Sequence, residues 1–226
     1  MTVLAVTGLA AEARIAARAG LVPICVGGSP ERTEAALRHA IGEGVTGIVS
    51  FGIAGGLAPE LAPGALILAS AVLCADGSRL ETSPRWRDRV RRHIPAVAGD
   101  VAGSGAVIAT AAEKAALRRR TGAVATDLES AVVAGAARGT GLPFIILRAV
   151  ADSAERDLPL AALIPLTGKG RPALPKIIAS IGRDPGQIGN LFSVALDTRR
   201  ALRALAEAVD RAGSAIASPS EEWQNR

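Results

Sequence analysis

Aromatic side chains are almost missing from this sequence: two Trp, three Phe and no Tyr occur in 226 residues. Modules that bind single-stranded nucleic acid stack bases on aromatic rings, so that class is hard to build here. The positive balance, 26 Lys plus Arg against 21 Asp plus Glu for a net charge of +5, therefore needs another explanation, and a nucleic-acid partner is not expected. Cysteine is scarce too. Cys25 and Cys74 both lie inside apolar runs, as the reduced, buried thiols of a cytosolic protein do, which excludes a disulfide scaffold. No paired Cys/His spacing is present for structural zinc, and no metal is expected. No stretch of 18 uncharged apolar residues exists, so no membrane-spanning helix is expected. The opening MTVLAVTGLAAEARIAARAG has no basic leader and carries charge from Glu12 on, which argues against a signal peptide. The expected protein is soluble and cytoplasmic.

What is present is apolar residues at 49% of positions, enough for one domain's core. Short runs rich in Val, Ile and Leu alternate with Ala- and charge-rich helical stretches, the pattern of an α/β protein. Strands are expected at Val3 to Thr7, Val22 to Val26, Val45 to Phe51, Ala65 to Leu73, part of Val97 to Ala109, Val124 to Thr126, and Leu142 to Ala149. Helices are expected at Ala10 to Ala19, Pro30 to Gly42, Pro84 to Arg92, Ala112 to Arg120, Glu129 to Gly139, Arg171 to Ile181, and Gln187 to Ala212. Pro30 and Pro84 sit at first turns, where proline is tolerated. Residues 1–215 read as a single domain and residues 216–226 as a flexible tail. Arginines cluster at 79–92, 118–120 and 199–211, and such runs are usually solvated faces.

Four segments could carry chemistry. Phe51-Gly52-Ile53-Ala54-Gly55-Gly56-Leu57 follows an apolar strand and packs three glycines into five positions. A turn of that kind lets a ligand approach the backbone closely. It is neither a dinucleotide fingerprint nor a phosphate-binding P-loop, and read alone it is a tight strand-to-helix turn. Ala125-Thr126-Asp127-Leu128-Glu129-Ser130-Ala131 puts two carboxylates where a strand hands over to a helix. A cap accounts for one of them but not for both. In Leu142 to Ser153 a buried-strand pattern contains Arg148 and ends at Asp152. A lone buried guanidinium is expensive, so Arg148 needs a carboxylate partner or a polar site. Asp152 falls at the carboxyl edge of the strand, where open α/β sheets bind ligands, although an Asx-turn explains it equally well. Glu12 starts the first helix, and by itself reads as a first-turn residue favoured by the helix dipole.

Taken in order, VTGLAAEA, SFGIAGGL, ATDLESAVVAGAA and PFIILRAVADSA resemble the purine nucleoside phosphorylase and methylthioadenosine/adenosylhomocysteine nucleosidase superfamily over residues 1 to 155. Its members cleave the N-glycosidic bond of nucleosides. A closer likeness, to the branch of hopanoid-associated phosphorylases, comes from EARIAARAG, ADGSRLETSPRWR, ATAAEKAAL and GQIGNLFSVAL. The resemblance implies a three-layer αβα sandwich around a twisted mixed sheet, no cofactor, and a homo-oligomer, dimer or hexamer, in which a neighbour's Asp76 to His93 completes the pocket. The implied substrate is an adenine nucleoside with an apolar 5′ substituent, adenosylhopane giving ribosylhopane and adenine.

The same resemblance implies roles position by position. Asp152 matches the acid that protonates purine N7, Glu129 the carboxylate that holds the ribose hydroxyls, and Glu12 the carboxylate that activates the attacking water. Arg148 matches an arginine that helps to hold Glu12 and that water. Val107 and Ile108 fall where relatives contact adenine, and with so few aromatic rings Val107, Ile108 and Ile53 must pack against the base. Leu128 replaces the usual Met beneath the sugar, a volume-conserving change, and with Asp127 and Gly55 completes the implied substrate-binding set. Ala151 replaces the Ser that normally precedes the acid.

Ser50 stands where bacterial phosphorylases carry a phosphate-binding Arg, and Ile53 where a Ser is common. Phosphate recognition wants those donors, and Glu12 would repel a dianion, so hydrolysis is favoured over phosphorolysis. Gly27 to Arg32 nevertheless resembles a phosphate loop, and Arg32 could restore phosphate binding. A phosphate-dependent purine nucleoside or methylthioadenosine enzyme and a non-catalytic nucleoside-binding module are the alternatives. From Leu191 to Val209, apolar residues at helical spacing interleave with Arg199, Arg200 and Arg203. A helix packed on the sheet explains this, while a basic amphipathic surface peripheral to a membrane is the second reading.

Overall fold

The computed structural model describes residues 2–42 and 44–219. In chain order the elements are β1 (Thr2–Thr7), α1 (Ala10–Arg18), β2 (Val22–Cys25), α2 (Pro30–Ala40), β3 (Val45–Gly56), β4 (Leu66–Leu68), β5 (Ala71–Leu73), β6 (Arg79–Glu81), α3 (Pro84–Arg91), β7 (Ala96–Val97), β8 (Asp100–Gly103), α4 (Ala111–Thr121), β9 (Ala125–Asp127), α5 (Ser130–Thr140), β10 (Phe144–Asp152), α6 (Leu174–Arg183) and α7 (Ile188–Ile216). Short 3-10 helices occupy Leu160–Leu163 and Pro185–Gln187. Local chemistry fixes several of the helix ends. Ser29 and Pro30 open α2, Thr110 and Glu113 form a reciprocal cap on α4, and Gly122 and Gly141 end α4 and α5 at φ +72° and +70°.

The strands form one mixed sheet of ten, with the parallel trio β1, β3 and β10 at its centre. Side chains alternate across it. Val3 and Ala5 of β1, Val49 and Phe51 of β3, and Ile145, Leu147 and Ala149 of β10 face α1, α3 and α7, where they meet Ala16, Trp86, Leu205 and Val209. Leu4, Val6, Ile48, Ala54, Ile146 and Val150 face the opposite way, onto Leu37 of α2 and Val133, Ala134 and Ala137 of α5. These are the three αβα layers that the family resemblance implies.

Two departures bear on the site. The glycine segment is not a turn: β3 runs on through Gly56, pairing with β10 as far as Gly55 and with β9 at Gly55 and Gly56. The run from Ala65 to Leu73 is two strands, because the chain leaves β10 after β4 and rejoins the sheet beside β8 as β5. The short polar β6 has no apolar alternation to announce it.

Residues 216–219, expected to be part of a flexible tail, begin as packed chain. Ile216 is fully buried, Trp86 Nε1 donates to the Ala215 carbonyl at 3.0 Å, and Arg89 donates to the Ser218 carbonyl at 3.0 Å. Residues 220–226 lie outside the described residues. On α7, Ala201, Leu205, Ala208 and Val209 are core residues while Arg199, Arg200 and Arg203 are exposed, so this part of the helix is packed on the sheet. Cys25 and Cys74 are free and half-buried rather than buried.

Candidate active site

The period-2 alternation that builds the core also puts Ser50 and Gly52 of β3 and Arg148 and Asp152 of β10 on the α5 side of the sheet. Arg148 is 1% exposed and surrounded by acceptors. Its Nη2 donates to Ser50 Oγ at 2.7 Å and to Glu129 Oε2 at 3.1 Å, and its Nη1 to the Ile53 carbonyl at 3.3 Å. Nε lies 2.7 Å from Asp127 Oδ2, an ion pair by distance whose N–H is not aligned for a hydrogen bond. Two carboxylates therefore supply the partner that a buried guanidinium requires. Asp127 is shared with the helix start: Oδ1 accepts from the Ser130 N–H at 2.8 Å and the Glu129 N–H at 3.2 Å, and Ser130 Oγ donates to Oδ2. It caps α5 and holds Arg148 together.

Glu12 closes the first turn of α1, but its carboxylate points into the protein. Oε2 accepts from the Gly8 and Leu9 N–H groups at 2.9 and 2.7 Å, and Oε1 from the Ile53 N–H at 2.8 Å. Glycine is what makes the approach possible. A Cβ on Gly52 would lie 2.7 Å from Glu12 Oε1 and 2.8 Å from Arg148 Nη1, and one on Gly8 would lie 2.8 Å from Glu129 Oε1. The glycines expected to admit a ligand to the backbone instead make room for the protein's own acids. Burial, reinforced by the charge of Glu129, pushes the Glu12 carboxyl up to about 7 against the opposing pull of the Leu9 N–H and Arg148. Burial also raises Glu129 above the usual carboxylate range, with Arg148 opposing.

Asp152 ends β10 opposite Gly55, where a Cβ would sit 3.6 Å from both carboxylate oxygens. Its partner, Lys114 of α4, is fully buried, ion-paired to Asp152 Oδ2, and donates to the Ser153 and Arg156 carbonyls at 2.9 Å each. Burial still raises Asp152, outweighing Lys114. Lys114 is the residue that sequence reasoning missed. Its only signal was a helix, EKAALRRR, whose other cations are solvated, and nothing in the pattern set this Lys apart.

The structure thus gathers Glu12, Asp127, Glu129 and Arg148 into one contact network, with Asp152 on the same face of β10 opposite Gly55. Ile53, Gly55, Leu128 and Ile108 are half-buried and Val107 is 47% exposed. The loop that carries Val107 and Ile108 is strung between the Asp127 carbonyl, which accepts from the Ser104 N–H at 2.8 Å, and the Leu158 N–H, which donates to the Ala109 carbonyl at 2.8 Å. Ser50 is fully buried, 2.9 Å from Ser130 Oγ. Arg32 is spent on the Val26 and Gly27 carbonyls, at 2.7 and 3.0 Å. A groove of about 630 Å³ lined by Leu57, Ala111, Arg118 and Glu155 runs beside α4 and includes none of these acids.

The close packing at Gly52 gives a direct test. Gly52→Ala forces a methyl against Glu12 and Arg148, an overpacking worth about 1–3 kcal/mol. The melting temperature should fall, and turnover should fall further than the lost folded fraction accounts for. Wild-type values of both would show that the strand does not hold the acids this tightly.

The phosphorylase superfamily profile matches residues 3–164. Among solved structures, futalosine hydrolase of Helicobacter pylori is similar with a TM-score of 0.64 at 15% identity, covering 93% of this chain and 97% of that one. The 5′-methylthioadenosine/S-adenosylhomocysteine nucleosidase of Neisseria meningitidis, solved with methylthio-immucillin-A, gives 0.65 at 18% identity over 92% and 98%. The S-adenosylhomocysteine nucleosidase of Streptococcus pyogenes, solved with 5-methylthiotubericidin, gives 0.66 at 14% identity over 93% and 96%. These likenesses establish the fold. Curated protein sequences yield no match.

Proposed function

The chain belongs to the phosphorylase superfamily, and from that premise we propose that it hydrolyses the N-glycosidic bond of an adenine nucleoside bearing an apolar 5′ substituent, adenosylhopane in the reading that its branch-like segments favour. The observation that carries hydrolysis is Glu12: a buried carboxyl on three backbone N–H groups, raised to about 7, is a base suited to water. In the reaction the C1′–N9 bond breaks as Asp152 gives its proton to N7, so adenine leaves neutral. Arg148 fixes Glu129 Oε2, and Oε1 is the oxygen that would meet the ribose hydroxyls and favour the oxocarbenium-like transition state. Water attacks C1′ and passes its proton to Glu12. Lys114 supports the carboxylate that Asp152 becomes.

Phosphorolysis is disfavoured because the guanidiniums that the sequence offers for phosphate are committed, Arg148 to Asp127, Glu129 and Ser50, and Arg32 to backbone carbonyls. Ile53, Ile108 and Val107 are the aliphatic groups offered to the base. A homo-oligomer in which a neighbour's Asp76 to His93 completes the pocket belongs to the same reading, as does a cytoplasmic location. Adenine release from adenosylhopane, methylthioadenosine and adenosine, measured with and without phosphate, tests it. The expected result is phosphate-independent release, fastest with the large apolar 5′ group. Strict phosphate dependence would overturn hydrolysis, and tight nucleoside binding without turnover would point to a binding module.

A further inference from the structure

The helix α6 is amphipathic without a core to face. Leu174, Ile177, Ile178 and Ile181 fall at i, i+3, i+4 and i+7, one stripe of a helix, yet no residue of α6 is buried. Leu174 and Ile178 are 63% and 67% exposed. Beside them, Ile188, Phe192 and Leu196 at the start of α7 are 53%, 66% and 40% exposed, and Leu160 on the first 3-10 helix is 66% exposed. Six of the nine large apolar side chains exposed among the described residues thus belong to residues 160–196. Buried Gln187 holds the surface in place: its Oε1 accepts from the Ala161 N–H at 2.9 Å, and its Nε2 donates to the Ser180 and Asp184 carbonyls at 3.0 and 3.1 Å.

Charge selects what covers this surface. From Leu158 to Leu196 the chain carries Lys169, Arg171, Lys176 and Arg183, all exposed, against one acid, Asp184. A second copy would bring like charge against like. A bilayer with anionic headgroups answers both features, because apolar side chains enter the boundary between headgroup and acyl chain while cations meet phosphates. We propose that α6 and the first turns of α7 form a surface that seats on an anionic lipid bilayer.

The position of the surface gives it a consequence for the site. The turn before α6 lies against the acid cluster: the Gly170 carbonyl accepts from the Ala10 N–H at 3.0 Å, and a Cβ on Gly170 would be 2.6 Å from the Gly8 carbonyl. The four residue-to-residue steps from Gly170 to Leu174 span at most about 14 Å, so a seated enzyme holds Gly8, Glu12 and Glu129 close to the bilayer. The docking itself does not depend on which nucleoside is cleaved.

Co-sedimentation of the full chain with vesicles of phosphatidylcholine plus phosphatidylglycerol, and with phosphatidylcholine alone, tests the surface without any substrate. Binding to the anionic vesicles should be about tenfold stronger or more and should weaken in high salt. Ile178→Asp and Phe192→Asp should each abolish it while leaving the melting temperature, the oligomeric state and turnover of a water-soluble adenine nucleoside unchanged. Failure of the wild-type chain to bind anionic vesicles would overturn the proposal, as would retained binding in both variants. Dissociation of an oligomer by either variant would overturn it by showing that the face joins two copies of the chain.

Discussion

Asp152→Asn is expected to slow adenine release by about 10²–10⁴-fold, the usual worth of a positioned general acid, while the protein still folds. The carboxyl is raised by burial, so the proton that N7 needs is held at a higher pH than an exposed Asp would allow. Asn cannot supply it. Stripping the partner from a buried charge usually destabilises by about 3–5 kcal/mol, but here Asn keeps an oxygen for Lys114, whose ammonium also reaches the Ser153 and Arg156 carbonyls. A modest fall in melting temperature should therefore accompany a large fall in turnover. Near-full activity in the variant would show that Asp152 is not the acid, and an unfolded variant would show that the Lys114 pair is chiefly structural. Lys114→Met in parallel separates the two, because it leaves the acid in place and removes only its support.

The central fold was legible because its strands are buried on both faces and so read as continuous apolar runs. Val3 to Thr7, Val45 to Phe51 and Leu142 to Ala149 are apolar runs too short for helices, and all three are the parallel strands at the middle of the sheet. Arg148 was legible for the opposite reason: a cation inside such a run is costly enough to demand partners, and Asp127 and Glu129 are those partners. The glycines were misread as a turn because a glycine's missing side chain looks the same in sequence whether a ligand, a bend or a neighbouring acid fills the space. At Gly52 only tertiary structure shows that the filler is Glu12. Lys114 and the exposed stripe of α6 escaped notice for a shared reason. Burial of a helix residue depends on what the helix meets, and α4 meets Asp152 while α6 rests on the two short 3-10 helices with none of its own residues buried.

Glu12→Gln should remove the pH dependence as well as the rate. A base with its carboxyl raised to about 7 is half ionised at neutrality, so wild-type kcat should rise through about pH 7 to a plateau above it. The Gln variant should lose about 10²–10⁴-fold at that plateau and show no rise near 7. Stability runs the other way. Between the unfolded value of 4.5 and about 7 the native state holds a proton that the unfolded chain has released, so the free energy of unfolding falls as pH rises through that window. The shift corresponds to about 3 kcal/mol for this buried group, and Glu129 and Asp152, also raised, contribute with the same sign. Wild-type melting temperature should therefore be lower at pH 8 than at pH 5, and Glu12→Gln should flatten that slope and be the more stable protein at pH 8. Activity that gains from ionising Glu12 and a fold that loses from it are what a functional carboxyl kept in a buried site produces. If the variant keeps both the rise near pH 7 and the stability slope, the raised group is not Glu12, and the water must be activated from elsewhere.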